Sequence, residues 1–141
     1  MIDSTPISRT DLLHLLSASL LQWDSETAQS GTYMRIDRKW LEEELIPWIL
    51  KNKKEPQGDG YRCIHFVHWL QEAITNAGYQ ARVKFSHACA RMVCVLPSRE
   101  SHAVGLVVTT DNRLYVLDPQ DPKLVPLEDY PVLSRGRIRF L

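Results

Sequence analysis

The stretch SHAVGLVVTTDNRLYVLD, residues 101–118, decides the fold that this chain is predicted to adopt. Two apolar runs, residues 103–108 and 114–117, flank a short polar segment. Runs of β-branched and aromatic residues on either side of such a segment are typical of an antiparallel β-hairpin. Both runs are apolar at almost every position, so we expect two central strands of a sheet that is covered on both faces.

The loop of this hairpin decides whether two polar residues at its open end can meet. With a three-residue loop at residues 110–112, the strand register puts His102 diagonal to Asp118 on one face of the sheet. Asn112 suits that loop, because asparagine tolerates the left-handed conformation that the loop uses. With a two-residue loop at Asp111 and Asn112, the same two side chains lie on opposite faces.

Two helical segments open the chain. Ser8 begins a capping pattern, and the leucines after it recur near helical spacing to about Trp23. A second segment begins near Asp37 and is kinked or split at Pro47, because proline lacks the N–H that a helix interior needs. We therefore expect residues 1–54 to form a helical N-terminal part.

A third helix begins at Cys63. Apolar residues recur from there at helical spacing, and Gly78 stands where a C-terminal glycine cap belongs. The residue pattern then becomes typical of β-strands, in residues 81–85, 92–96, 102–110, 113–118 and 137–141. Prolines predict an irregular stretch between the last two of these strands. The predicted fold class is α+β, with the N-terminal helices and the Cys63 helix packed on an antiparallel sheet of about five strands.

Length and composition limit the classes of protein to consider. The chain has 141 residues, 44% of them hydrophobic and 24% charged, which suits a single domain over residues 1–141 with its core at residues 57–141. Its 17 basic and 17 acidic residues cancel, so we expect neither nucleic acid nor a membrane as a partner. The N-terminus also lacks the layout of a signal peptide. Three cysteines cannot all pair within one chain, which favours the reducing cytoplasm.

Cys63, His102 and Asp118 are the residues whose order and contexts point to chemistry. A helix start stabilises a thiolate, an imidazole can take up the thiol proton, and a carboxylate can orient the imidazole. Gln57, in the loop before Cys63, is a predicted donor to an oxyanion, together with the backbone N–H of Cys63. Each residue also has a purely structural interpretation, as a buried cysteine, a strand-end histidine, a turn-starting aspartate or a solvated glutamine.

These residues stand in the order in which papain-like cysteine peptidases carry theirs. Gln57 lies six positions before Cys63, as a glutamine precedes the nucleophile of those enzymes. His102 is followed by a small residue and an apolar strand, and Asp118 ends the next strand, as in transglutaminase-like enzymes. Over residues 57–120 the chain therefore resembles the papain-like cysteine peptidase superfamily, and in particular its transglutaminase-like branch.

This resemblance implies a papain-like or transglutaminase-like fold and an enzyme. The implied activity is that of a cysteine hydrolase or acyltransferase on a peptide or other amide bond, through a thioester, with a peptide or protein as substrate. Cys63 would be the nucleophile, His102 the base and acid, Asp118 the orienting group, and Gln57 an oxyanion donor. No cofactor is required.

Two other functions remain open at this point. The first is a catalytically silent interaction module on the same fold, whose aromatic surface would come from four residues, Trp23, Trp40, Trp48 and Trp69. The second is a structural zinc site, although neither candidate cluster has the two-residue spacing of a zinc knuckle. The clusters are Cys63, His65 and His68, and His87, Cys89 and Cys94.

Overall fold

The computed structural model describes residues 1–53 and 62–141. Its elements in chain order are β1 (Ser4–Ser8), α1 (Arg9–Ala18), β2 (Thr32–Ile36), α2 (Arg38–Trp40), a π-helical turn (Leu41–Leu45), α3 (Ile46–Asn52), α4 (Cys63–Gln80), β3 (Cys89–Val95), β4 (Ser101–Val108), β5 (Leu114–Asp118), β6 (Asp121–Pro126), a 3₁₀ helix (Leu127–Asp129) and β7 (Ser134–Phe140). Within these described ranges, none of the helices has both the length and the apolar character that crossing a membrane requires.

The strands form two antiparallel sheets. The larger sheet has the strand order β6-β5-β4-β3-β7, and the smaller one pairs β1 with β2. Two isolated bridges, Met34 with His87 and Ile36 with Thr109, join β2 to the larger sheet. The backbone of β2 thereby connects the N-terminal part of the chain to the sheet that carries the predicted hairpin.

The larger sheet has five antiparallel strands, but they are not the five that the sequence suggested. Residues 81–85 form no strand, because α4 continues past Gly78 to Gln80 and Arg82 then turns the chain in a left-handed conformation. The fifth strand is β6, in the stretch that its prolines had marked as irregular. Since β6 is an edge strand, the missing N–H of a proline can face away from the ladder of hydrogen bonds.

The prediction that residues 1–54 are helical is also wrong, because this part contains β1 and β2. Helix α1 ends at Ala18, short of Trp23, since Leu20 adopts a left-handed conformation with a φ of 61°. The Leu21 N–H then donates to the Leu16 carbonyl, which turns the chain back towards the core. The predicted fold class is corrected accordingly: the N-terminal part is mixed, and it contributes a second sheet.

Several helix boundaries follow the local chemistry that the sequence indicated. The Ser8 Oγ atom accepts a hydrogen bond from the Asp11 N–H at 3.1 Å, and the Asp37 Oδ2 atom accepts one from the Trp40 N–H at 3.3 Å. Pro47 is the second residue of α3, directly after the π-helical turn. The wider turn fits the predicted break in the helix, because a proline clashes with the carbonyl four residues before it.

The larger sheet separates two hydrophobic clusters. On one face, α1 contributes Leu16 to a cluster that includes Val104 of β4. On the other face, α4 contributes Leu70 to a cluster that includes Leu117 of β5 and residues from α2 through α3. Helix α4 can approach β4 closely because Gly105 has no side chain; a Cβ there would lie 2.6 Å from the Leu70 Cδ2 atom.

Candidate functional site

The hairpin of β4 and β5 has the register that a three-residue loop produces. Val108 lies opposite Leu114, and the Thr109 N–H donates to the Arg113 carbonyl at 3.0 Å. Asn112 adopts the left-handed conformation, with a φ of 60°. The three-residue alternative is therefore confirmed, and the side chains at the open end of the hairpin share one face.

His102 and Asp118 are in contact at this open end. The His102 Nε2 atom lies 2.7 Å from the Asp118 Oδ2 atom, and the two side chains are only 17% and 14% exposed. The other carboxylate oxygen of Asp118, Oδ1, accepts a hydrogen bond from the Gln120 N–H at 2.9 Å. Because both oxygens have a partner, the carboxylate is held in one orientation.

The contact assigns roles to the two ring nitrogens of His102. An ionised carboxylate can only accept hydrogen bonds, so Nε2 carries the hydrogen that Asp118 accepts. In the neutral ring, Nδ1 then has a free lone pair. Nδ1 is thus the ring nitrogen that can accept a hydrogen bond from a neighbouring donor.

Cys63 is the first residue of α4, and its side chain is half-buried. The side chain of His65 caps this end of the helix, since its Nδ1 atom accepts a hydrogen bond from the Arg62 N–H at 3.0 Å. Cys63 forms no disulfide. A thiol in the first helical turn lies beside backbone N–H groups that have no carbonyl partner within the helix.

The direction of α4 brings its first residue to the end of the sheet where His102 lies. The Gln71 Nε2 atom donates to the Cys89 carbonyl at 3.1 Å, and His68, one turn earlier, contacts Arg91 at 3.1 Å. Going back along α4 therefore means going forward along β3, towards Cys94. Cys94 is the direct partner of His102 in the ladder between β3 and β4.

The electrostatics of Cys94 agree with this placement. Burial raises the pKa of the Cys94 thiol to about 11, and the nearby charges of Asp118 and Cys63 act in the same direction. Burial also raises the pKa of Tyr130 to about 12, again with a contribution from Asp118. The pKa of Cys94 thus responds to Asp118 and Cys63, and the pKa of Tyr130 responds to Asp118 and Cys94.

The sequence also predicted an oxyanion donor, and it left a structural zinc site open as an alternative. Gln57 lies outside the described residues, so its role as an oxyanion donor stays a prediction. For the proposed zinc clusters, residues 1–53 and 62–141 contain no group of three or more histidine, cysteine or acidic side chains that could hold a metal ion. Instead, His68 contacts Arg91, and burial in the core raises the pKa of Cys89 to about 12.

A groove of about 820 Å³ lies between α4 and the segment that runs from α2 through α3. Among its lining residues, the rings of Trp48 and Trp69 stack, with centroids 5.2 Å apart and planes inclined by 30°. The polar side chains that line it are Glu44, Glu72, Asn76 and Gln80. The sequence offered the tryptophans only as a possible aromatic surface and gave no role to these polar residues. Their spacing was a usable signal, because Glu72, Asn76 and Gln80 recur every four residues on one side of α4.

Comparison with known proteins finds no matching family model and no matching curated protein. Solved structures do match. The PSL1a-E64 complex has a TM-score of 0.68 and 15% identity, and the match covers 92% of this chain and 49% of that one. The Polyporus squamosus lectin bound to the human-type influenza-binding epitope Neu5Aca2-6Galb1-4GlcNAc has a TM-score of 0.71 and 17% identity, with the same two coverages.

The chain shares the fold of these two structures. It spans about half the length of either one. At this level of identity the likeness concerns the fold alone. What the two proteins bind is therefore not carried over to this chain by the comparison.

The comparison contradicts the family that the sequence suggested over residues 57–120. The papain-like or transglutaminase-like fold class is wrong, because no family model supports it and a lectin is among the structures with this fold. The enzyme prediction is corrected as well. Neither the cysteine hydrolase or acyltransferase activity nor the peptide or protein substrate is retained, because that lectin is described as bound to a glycan. The interaction module on a papain-like fold is corrected for the same reason. The contact between His102 and Asp118 and the position of Cys63 at the start of α4 do not depend on the family, and these residues stay the candidate site.

Proposed function

We propose that this chain is a ligand-binding module in which the Cys63 thiol bonds to an electrophilic group of its ligand. The observation that carries the proposal is the 2.7 Å bond between His102 and Asp118 at the end of the sheet towards which the first turn of α4 points. A thiol at a helix start becomes nucleophilic when an oriented imidazole takes up its proton, and His102 is the imidazole that we assign to Cys63. The proposal concerns binding and not turnover.

The protons and electrons of this step balance within the site. The Cys63 thiol transfers its proton to His102 Nδ1, and Asp118 stabilises the imidazolium through Nε2. Backbone N–H groups at the start of α4 stabilise the thiolate. With iodoacetamide as the electrophile, the S–C bond forms while the C–I bond breaks, and iodide leaves with the bonding pair.

The PSL1a-E64 complex supports the proposal that this chain binds a ligand. That protein is described as a complex with E64, and it matches 92% of this chain. We extend the property to this chain and assign E64 to the site that contains Cys63. Cys89 and Cys94 do not suit such a role, because burial raises their pKa values to about 12 and about 11.

The test is protection of Cys63 from alkylation. The protein is incubated with and without E64 near pH 7 and then treated with iodoacetamide under native conditions, and labelled peptides are identified by mass spectrometry. We expect E64 to protect Cys63 from labelling, Cys63→Ala to remain unlabelled, and the matched variant Cys89→Ala to behave like the parent protein. Full labelling of Cys63 in the presence of saturating E64, or an unchanged label in Cys63→Ala, would contradict the proposal.

Carbohydrate binding is a second candidate function. The stacked pair of Trp48 and Trp69 in a groove with exposed polar side chains favours it, because sugar-binding sites need both an apolar surface and hydrogen-bonding groups. The likeness to a lectin is consistent with this function, although the chain spans only 49% of that lectin. Retention of the protein on immobilised glycans tests it, and free passage over every glycan would rule it out.

A further inference from the structure

We propose that the groove between the π-helical turn with α3 and the α4 helix is a subsite for an uncharged sugar ring. This inference deepens the second candidate function, carbohydrate binding, and rests on it. The groove is built by separate segments of the chain, because Met1 and Ile2 line it together with Trp48 of α3 and Trp69 of α4. It lies apart from the site of His102 and Asp118, which line no part of it.

The aromatic pair gives the groove an apolar floor. Trp48 remains 42% exposed although it stacks on Trp69, so part of its indole surface faces the solvent. A pyranose ring has one face made largely of C–H groups, which packs on the electron-rich face of an indole. An exposed tryptophan in a concave site is therefore suited to a sugar ring.

The rim supplies the hydrogen-bonding groups that sugar hydroxyls need. Glu72, Asn76 and Gln80 follow one another along the exposed side of α4, and Glu44 faces them from the π-helical turn. Among the described residues, none forms a hydrogen bond with the side chains of Glu72, Asn76 or Gln80. Carboxylates accept hydrogen bonds from hydroxyl groups, and amides both donate and accept them. The polar groups are thus available to a ligand.

The charge of the lining distinguishes between kinds of sugar. Two carboxylates, Glu44 and Glu72, line the groove, and the described lining includes no lysine or arginine. The amino group of Met1 lies 3.4 Å from the Glu44 Oε2 atom and offsets that carboxylate. Glu72 has no such partner among the described residues. A sugar with a carboxylate of its own, such as sialic acid, would be repelled, whereas an uncharged ring would not.

The experiment uses two probes that differ only in the sialic acid. These are the disaccharide Galb1-4GlcNAc and the trisaccharide Neu5Aca2-6Galb1-4GlcNAc, both within a wider set of immobilised neutral and sialylated glycans. We expect neutral glycans to bind at least about tenfold more tightly than their sialylated forms. Trp48→Ala should weaken binding about tenfold or more, and Glu72→Gln should reduce the discrimination against sialylated forms.

Trp23→Ala is the matched control, because Trp23 is exposed to a similar degree, 44%, and lies outside the groove. It should leave glycan binding unchanged. Equal binding by the parent protein and Trp48→Ala would overturn the assignment of the groove while carbohydrate binding stands. Preferred binding of sialylated glycans that is lost in Trp48→Ala would overturn the charge argument alone. Binding to none of the glycans would remove the function and the subsite together.

Discussion

The Nε2 atom of His102 and the Oδ2 atom of Asp118 lie 2.7 Å apart, and their bond joins the start of β4 to the end of β5. In the pairing of β3 with β4, His102 lies opposite Cys94. Its side chain reaches Asp118 of β5 diagonally across the hairpin. One contact thus fixes the open end of the hairpin and orients the imidazole. The reactivity that we propose for Cys63 depends on this orientation.

The first prediction concerns the carboxylate of Asp118. We expect Asp118→Asn to slow the alkylation of Cys63 about tenfold or more near pH 7. An asparagine amide can donate a hydrogen bond to Nε2, which favours the ring form whose Nδ1 already carries a hydrogen. The rate of labelling by iodoacetamide, followed by mass spectrometry, measures the effect.

Asp121→Asn is the control for this prediction. Asp121 is an exposed carboxylate three residues further along, and it contacts Lys123 at 3.5 Å. Its replacement should leave the rate at Cys63 unchanged. Equal rates in all three proteins would show that Asp118 does not act through His102.

The second prediction concerns the close approach of α4 to β4. A Cβ at residue 105 would lie 2.6 Å from the Leu70 Cδ2 atom and 2.9 Å from the Leu117 carbonyl oxygen, and the backbone oxygen cannot move away easily. We expect Gly105→Ala to lower the free energy of unfolding by about 2 kcal/mol in urea titrations. Gly31→Ala is the control, since nothing lies within 4 Å of a Cβ there. A loss no larger than that of the control would contradict the packing.

The third prediction concerns pH. Burial lowers the pKa of His87 below its usual value of 6.5. Near that value the unfolded chain binds a proton that the folded protein does not, so stability is complete above about pH 6.5 and falls as the pH decreases. One such group contributes a slope of at most about 1.4 kcal/mol per pH unit.

Urea titrations between pH 7.5 and 5.5 measure this slope. His87→Gln removes the titrating group and should make the free energy of unfolding less dependent on pH. His14→Gln, at an exposed position on α1, should keep the slope of the parent protein. Burial also lowers the pKa of His68, which adds a slope of the same sign. A parent protein equally stable at both ends of the range would contradict the argument.

The central hairpin could be predicted from the sequence because its signals are local. Two apolar runs and a loop with Asn112 define the register, and the register brings His102 to Asp118. The start of α4 at Cys63 could also be predicted, from the helical spacing of its apolar residues. These features depend on neighbours within about twenty residues along the chain.

The rest of the fold depends on tertiary contacts that the sequence pattern did not reveal. Strand β2 forms because it pairs with β1 and bridges to His87 and Thr109 from distant parts of the chain. Strand β6 contains prolines and is possible because it lies at the edge of the sheet. The groove was not predicted because Trp48 and Trp69 meet only when α3 packs beside α4.

The family assignment failed for a different reason. Order and spacing of Gln57, Cys63, His102 and Asp118 suggested a papain-like enzyme, but such motifs are short and recur on unrelated folds. The single domain over residues 1–141 and the cytoplasmic location stay predictions.

The rate at which Cys63 is alkylated near pH 7, in the parent protein and in His102→Ala, tests the central claim most directly. We predict that iodoacetamide modifies Cys63 well before the buried Cys89 and Cys94, and that His102→Ala slows the reaction at Cys63 about 100-fold. Equal rates at Cys63 in the two proteins, or modification of Cys94 as fast as that of Cys63, would contradict the account.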